Sequence, residues 1–83
     1  MKLARYVKFR EEKFGGVLFE TRSEKVFTLN PTATAVVREI QAGSAEGDIP
    51  ARLKERFREE GRAIEREAQA FIAELRQQGL VED

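Results

Sequence analysis

Lys25-Val26-Phe27-Thr28-Leu29-Asn30-Pro31-Thr32 is the stretch on which the fold turns. A β-prone run ends at Leu29. Asn30 follows with a side-chain oxygen suited to capping a helix, and Pro31 sits where its missing N–H would have no partner anyway. Ala33, Val36, Val37 and Ile40 then recur at the i, i+3, i+4, i+7 spacing of a buried helix face. Strands therefore precede this join and helices follow it.

Upstream, the chain favours strands within residues 5–29. Tyr6-Val7-Lys8-Phe9-Arg10 alternates in part, with Phe9 directed inward, and Val17-Leu18-Phe19-Glu20-Thr21 is a continuous β-prone run. Gly15-Gly16 between them reads as a turn or a bulge. Arg22-Ser23-Glu24-Lys25 is short and polar enough for a hairpin loop, which makes Val26–Leu29 a third strand antiparallel to the second. On that strand Phe27 and Leu29 share one face, and Val26 and Thr28 point to the other.

Downstream, helices are expected over residues 31–42, 48–60 and 63–78. Gly43 stops the first, and Ser44 to Asp48 reads as a turn. Ile49, Leu53 and Phe57 repeat every four residues on the second, and Gly61 interrupts. Ile64, Ala68, Phe71, Ile72 and Leu75 line the third, with Phe71 and Leu75 read as core. Gly79 ends it, and Leu80-Val81 can fold back as a hydrophobic clasp. The expected fold is α+β: a small three-stranded antiparallel sheet followed by three helices, winged helix-turn-helix-like, in one domain over residues 1–83.

Composition narrows the function. The 83 residues contain neither His nor Cys. That removes disulfides, thiolate ligands, the commonest general base, and every Ser/His/Asp or Cys/His catalytic set. No run resembles an EF-hand loop, and Gly15-Gly16 lacks the spacing of a phosphate-binding loop. Glu11-Glu12 and Glu59-Glu60 read as solvated charge. No catalytic residue, metal or cofactor is expected. Fifteen basic residues balance fifteen acidic ones, against the basic excess usual in nucleic-acid modules. No apolar run approaches the ~20 residues of a membrane span, and no secretory signal opens the chain. A cytoplasmic protein is the expectation.

Two surfaces remain. Arg52, Lys54, Arg56 and Arg58 make the second helix basic, which with the winged-helix plan leaves a small DNA-binding regulator as the alternative. Glu55, Glu59 and Glu60 interleave with them, in the manner of i, i+4 ion pairing on a solvated face. The other surface is the third strand. A sheet this small exposes edge N–H and C=O groups, and an extended peptide can pair with them. The edge could equally pair with a second copy, as a homodimer. Ala68, Ile72 and Leu75 on the third helix offer a groove beside it, flanked by Gln69 and Arg76.

Val26-Phe27-Thr28-Leu29-Asn30-Pro31-Thr32-Ala33, followed by Val36-Val37-x-x-Ile40, resembles the strand-to-helix junction of the PqqD family. Ile49-x-x-x-Leu53-x-x-x-Phe57 and Phe71-Ile72-x-x-Leu75-x-x-x-Gly79-Leu80-Val81 are similar to its middle and closing helices. Phe9-Arg10-Glu11-Glu12-x-Phe14-Gly15-Gly16-Val17-Leu18-Phe19 looks like members encoded beside radical S-adenosylmethionine maturases. The resemblance implies a RiPP recognition element without chemistry of its own. Such a domain binds the leader of a ribosomally made precursor as an added strand, against the third strand and third helix. It then presents the precursor to a radical S-adenosylmethionine enzyme with a SPASM domain. Carried onto this chain, the peptide-facing segment is Glu24 to Leu29 with one face of Ile64 to Arg76, and within it the peptide-binding residues expected are Lys25, Val26, Phe27, Thr28 and Leu29 with Arg66, Gln69, Ile72 and Arg76. Arg66, Gln69 and Arg76 would then meet an acidic or polar leader.

Overall fold

In a computed structural model, which describes residues 1–57 and 62–83, the join falls where the sequence puts it. Strand β4 (Lys25–Leu29) ends one residue before helix α1 (Pro31–Gln41). Asn30 is extended, and its Oδ1 accepts from the Ala33 N–H at 2.8 Å. That bond satisfies one of the orphan donors at the helix start.

β4 is the third strand of an antiparallel sheet with β2 (Val7–Glu12) and β3 (Gly15–Glu20), in the order β2-β3-β4. Its register aligns Phe9, Leu18 and Phe27 in one row across the inner face. The next row, Lys8, Phe19 and Val26, lies on the outer face. Leu18 and Leu29 are buried, Phe27 is half-buried, and Val26 stands 61% exposed. The alternation read from the sequence is therefore present.

Gly15-Gly16 is not the turn. Lys13 and Phe14 form the two-residue loop, and the glycines open β3 opposite Glu12 and Glu11. Their role is close approach. Gly15 has φ +147°, and a Cβ there would collide with the Leu29 carbonyl and come within 2.9 Å of the Asn30 carbonyl carbon. A Cβ on Gly16 would meet Phe9 at 2.9 Å and the Thr34 hydroxyl at 3.0 Å. Both glycines let β3 press against the strand-to-helix join.

α1 lies against the inner face of the sheet, and α2 (Ile49–Arg56) and α3 (Arg62–Gln77) pack on it. Residues 33–37 of α1 are all buried, together with Glu39 and Ile40. α1 is thus the central helix, not a surface one with a single apolar stripe. Ile49 and Leu53 from α2, with Ile64, Ala68, Ile72 and Leu75 from α3, complete the core. The expected second helix begins one residue late, after a 3-10 turn at Glu46–Asp48. Its expected extension to residue 60 and the Gly61 interruption lie outside the described residues.

α1 and α3 end in the same way. The Gly43 N–H donates to the Ile40 carbonyl and the Ser44 N–H to Glu39. At the end of α3 the Gly79 N–H donates to Arg76 and the Leu80 N–H to Leu75. With φ +88° at Gly43 and +72° at Gly79, each is the paired-bond glycine stop. The chain after Gly79 does more than clasp. Val81–Glu82 (β5) pairs antiparallel with β1 (Lys2–Leu3), a two-stranded ribbon absent from the sequence reading. Tyr6 donates its hydroxyl to the Gly79 carbonyl at 2.7 Å, and the Ala4 N–H donates to Leu80 at 2.9 Å. No described helix is long and apolar enough to cross a membrane.

Candidate functional site

β4 pairs with β3 alone, so one of its sides carries no strand among the described residues. The Leu29 carbonyl lies against Gly15 of β3. Backbone polar groups alternate sides along an antiparallel strand. The N–H and C=O of Val26 and Thr28 therefore point to the free edge, while those of Lys25, Phe27 and Leu29 serve the ladder.

A depression of about 290 Å³ opens at the C-terminal end of this strand. Asn30, Thr32 and Ala33 from the start of α1 form one wall. Glu67, Ala70, Phe71 and Glu74 of α3 form the other. Phe71, expected in the core, is half-buried and packs against the core from the rim. The strand edge supplies main-chain hydrogen bonding, and the depression supplies an apolar contact beside it.

The structure brings only part of the expected site together. Lys25 to Leu29 share the strand, but Leu29 is a core side chain at 3% exposure. Ile72 is likewise core, at 5%. Gln69, Ile72 and Arg76 line a different depression, with Glu46, Gly47, Pro50 and Ala73. That depression lies on the flank of α3 facing α2. Arg76 is bound there to Glu46, and its Nη1 stands 3.7 Å from Asp83. The contact with Arg76 holds the Glu46 carboxyl below the usual range. Arg66 is exposed and lies outside the lining of both depressions. Ala68 and Leu75 are buried.

Glu67, Ala70 and Glu74 are the wall residues that sequence reasoning passed over. A signal for them existed. Glu67, Phe71 and Glu74 fall at i, i+4 and i+7, with no Lys or Arg three or four residues from either glutamate. Helical spacing gives the stripe and its two borders, but not which border faces the strand.

The basic residues of α2 turn to neighbouring helices. Arg52 Nε donates to Glu39 Oε1 at 2.6 Å, and Arg56 Nη2 reaches Glu39 Oε2 at 3.4 Å. Lys54 Nζ stands 3.2 Å from Glu65 of α3. Glu39 also accepts from the Ser44 hydroxyl at 2.6 Å, with its side chain only 6% exposed. The Ser44 bond and then Arg52 keep its carboxyl below the usual range, against the opposing effect of burial. Arg52, Lys54 and Arg56 thus pair between helices. Arg58, Glu59 and Glu60 lie outside the described residues. Among the described residues no group of three or more acidic side chains is placed to hold a metal ion.

The family model of coenzyme PQQ synthesis protein D (PqqD) matches residues 15–81. Among solved structures, TbiB1 in complex with the TbiA(beta) leader peptide superposes with a TM-score of 0.82 at 18% identity. The match covers 99% of this chain and 95% of that one. Lasso peptide synthetase B1 complexed with the leader peptide superposes with a TM-score of 0.79 at 24% identity, covering 99% and 96%. Likeness at these identities establishes the fold. None of the curated proteins matches the chain.

Proposed function

We propose that this chain, which belongs to the PqqD family, is a peptide-binding recognition domain that captures the leader of a ribosomally made precursor. The leader adds as a fourth strand along β4 and seats a side chain in the depression between α1 and α3. The observation that carries this is the free edge of β4, with Val26 and Thr28 turned outward and an apolar wall at its end. The two structural relatives were both solved with leader peptides bound, which supports the same use of the shared fold.

The domain does no chemistry itself. The sequence offers no His or Cys, and its role is to hold the peptide in register for a modifying enzyme. We take that enzyme to be a radical S-adenosylmethionine maturase with a SPASM domain, in the cytoplasm. DNA recognition lacks support, because Arg52, Lys54 and Arg56 are engaged with Glu39 and Glu65. The same edge would admit a second copy when no leader is present, and sedimentation with and without leader separates the two occupants.

The test is Val26→Pro. Proline removes a donor that faces the edge and leaves the ladder to β3 intact. The variant should fold, as judged by circular dichroism, and should lose leader affinity by about tenfold or more in calorimetry, the loss of roughly one main-chain bond. Unchanged affinity in a folded Val26→Pro protein would falsify the edge-strand mode.

A further inference from the structure

We infer that the peptide this groove accepts is cationic, with a Lys or Arg next to the apolar side chain that covers Phe71. The preference presupposes the peptide-binding role and names the ligand class of that site. It is the opposite of the acidic leader that Arg66 and Arg76 suggest in the sequence.

The groove exists without the two glutamates. Its apolar lining is the half-buried Phe71 with Ala33 and Ala70, and Asn30 brings it to the end of β4. Glu67 and Glu74 then set its charge. Both are exposed on the wall, and neither has an ion-pair or hydrogen-bond partner among the described residues. Among the described residues no cationic side chain lines the groove. Lys25 sits at the other end of β4, ~15 Å away at the rise of an extended strand. That is beyond the ~8 Å over which charge is felt at physiological ionic strength. Arg76 is held on the other flank by Glu46 and Asp83. Arg66, next to Glu67 in the chain, lies outside the lining. A peptide strand running past Asn30 therefore meets two carboxylates that no described residue pairs, on either side of an aromatic ring. An acidic residue there is repelled, and a basic one lays its aliphatic stem on Phe71 while its head reaches a carboxylate.

The experiment selects displayed random dodecapeptides on the purified 83-residue chain, then titrates the selected sequences as synthetic peptides at low and high salt. Selected peptides should be enriched in Lys or Arg beside an aliphatic or aromatic residue, and their affinity should fall with salt. Glu67→Gln or Glu74→Gln should each weaken them by up to about fivefold, the range of an exposed ion pair. The double reversal Glu67→Lys with Glu74→Lys should turn the enrichment toward Asp and Glu. Glu12→Lys on β2, the opposite edge of the sheet, should leave it as in the parent and so controls for net charge. Selection without cation enrichment, or enrichment that survives both the Gln variants and the reversal, overturns the inference and leaves peptide binding standing. Selection that yields no binding peptide overturns the peptide-binding role itself.

Discussion

The flank of α3 that faces α2 is tied by charge, and the flank that faces the start of α1, just past β4, is not. On the first, Arg76 holds Glu46 and Asp83, and Glu65 meets Lys54; on the far side of α2, Glu39 of α1 gathers Arg52, Arg56 and Ser44. On the second, Glu67 and Glu74 border Phe71 without a described partner, next to a strand with one unpaired side. The two flanks border the same buried stripe of Ile64, Ala68, Ile72 and Leu75. One flank ties its charged groups into internal structure, and the other leaves two carboxylates without a partner among the described residues. Large exposed apolar side chains lie away from α3 altogether. Among the described residues the large ones are Phe14, Phe19 and Val26, all on the sheet or its hairpin.

The largest effect should come from the support beneath the open flank. Gly15→Ala places a methyl group against the Leu29 carbonyl at a φ of +147°. Left-handed strain alone is worth about 1–3 kcal/mol, and the collision adds to it. A loss of at least about 2 kcal/mol in urea unfolding is expected, together with weaker peptide binding, since β4 and the start of α1 must shift. A Gly15→Ala protein as stable as the parent would show that the join tolerates displacement. The open edge would then not be held by close approach.

The charge cluster between α1 and α2 should answer to pH. The folded-state pKa of Glu39 lies below its ordinary 4.5, through the Ser44 hydroxyl first and Arg52 next. A carboxylate with a lowered folded pKa gives stability that is fully present above the unfolded value. That stability is lost as pH falls through the folded one. The unfolding midpoint should therefore hold from neutral pH down to about 4.5 and decline below it. Glu39→Gln should cost about 1–2 kcal/mol at pH 7, because it loses charge-assisted bonds in a buried position. It should also flatten the acid decline. An equally steep decline in Glu39→Gln would assign the acid response to the exposed pairs instead.

How much of this was legible depends on the range of the interaction. The Asn30-Pro31 start and the glycine stops at Gly43 and Gly79 are local rules written in adjacent residues, and each appears as read. The free edge follows from having three strands and a register, which alternation supplies. The β1–β5 ribbon joins Leu3 to Val81 across nearly the whole chain, and two-residue strands carry no periodicity to detect. Gly15-Gly16 carries the same dipeptide whether it turns or allows approach. Only the proximity of Leu29, Asn30 and Thr34 separates the two. Gln69 and Arg76 read as groove residues because helical spacing defines two borders to a stripe. Which border meets the strand is set by how α3 crosses α1, a tertiary fact.

The smallest effects separate the two flanks most directly. Phe71→Ala removes an apolar contact from the open side. Some 50 Å² of lost burial at about 25 cal/mol per Å² corresponds to roughly a tenfold loss of peptide affinity. Arg76→Ala removes a side chain of equal prominence from the tied side. It should leave peptide affinity within about twofold of the parent, the scatter of a surface change away from the contact. Its exposed pairs with Glu46 and Asp83 should likewise leave the melting midpoint nearly unmoved. Calorimetry on both variants, each first shown to melt cooperatively, decides the matter. If Arg76→Ala weakens the peptide and Phe71→Ala does not, the ligand lies along the α2-facing border, where Gln69, Ile72 and Arg76 meet. β4 would then be an edge without a ligand, and the charge preference at Glu67 and Glu74 would have no peptide to act on.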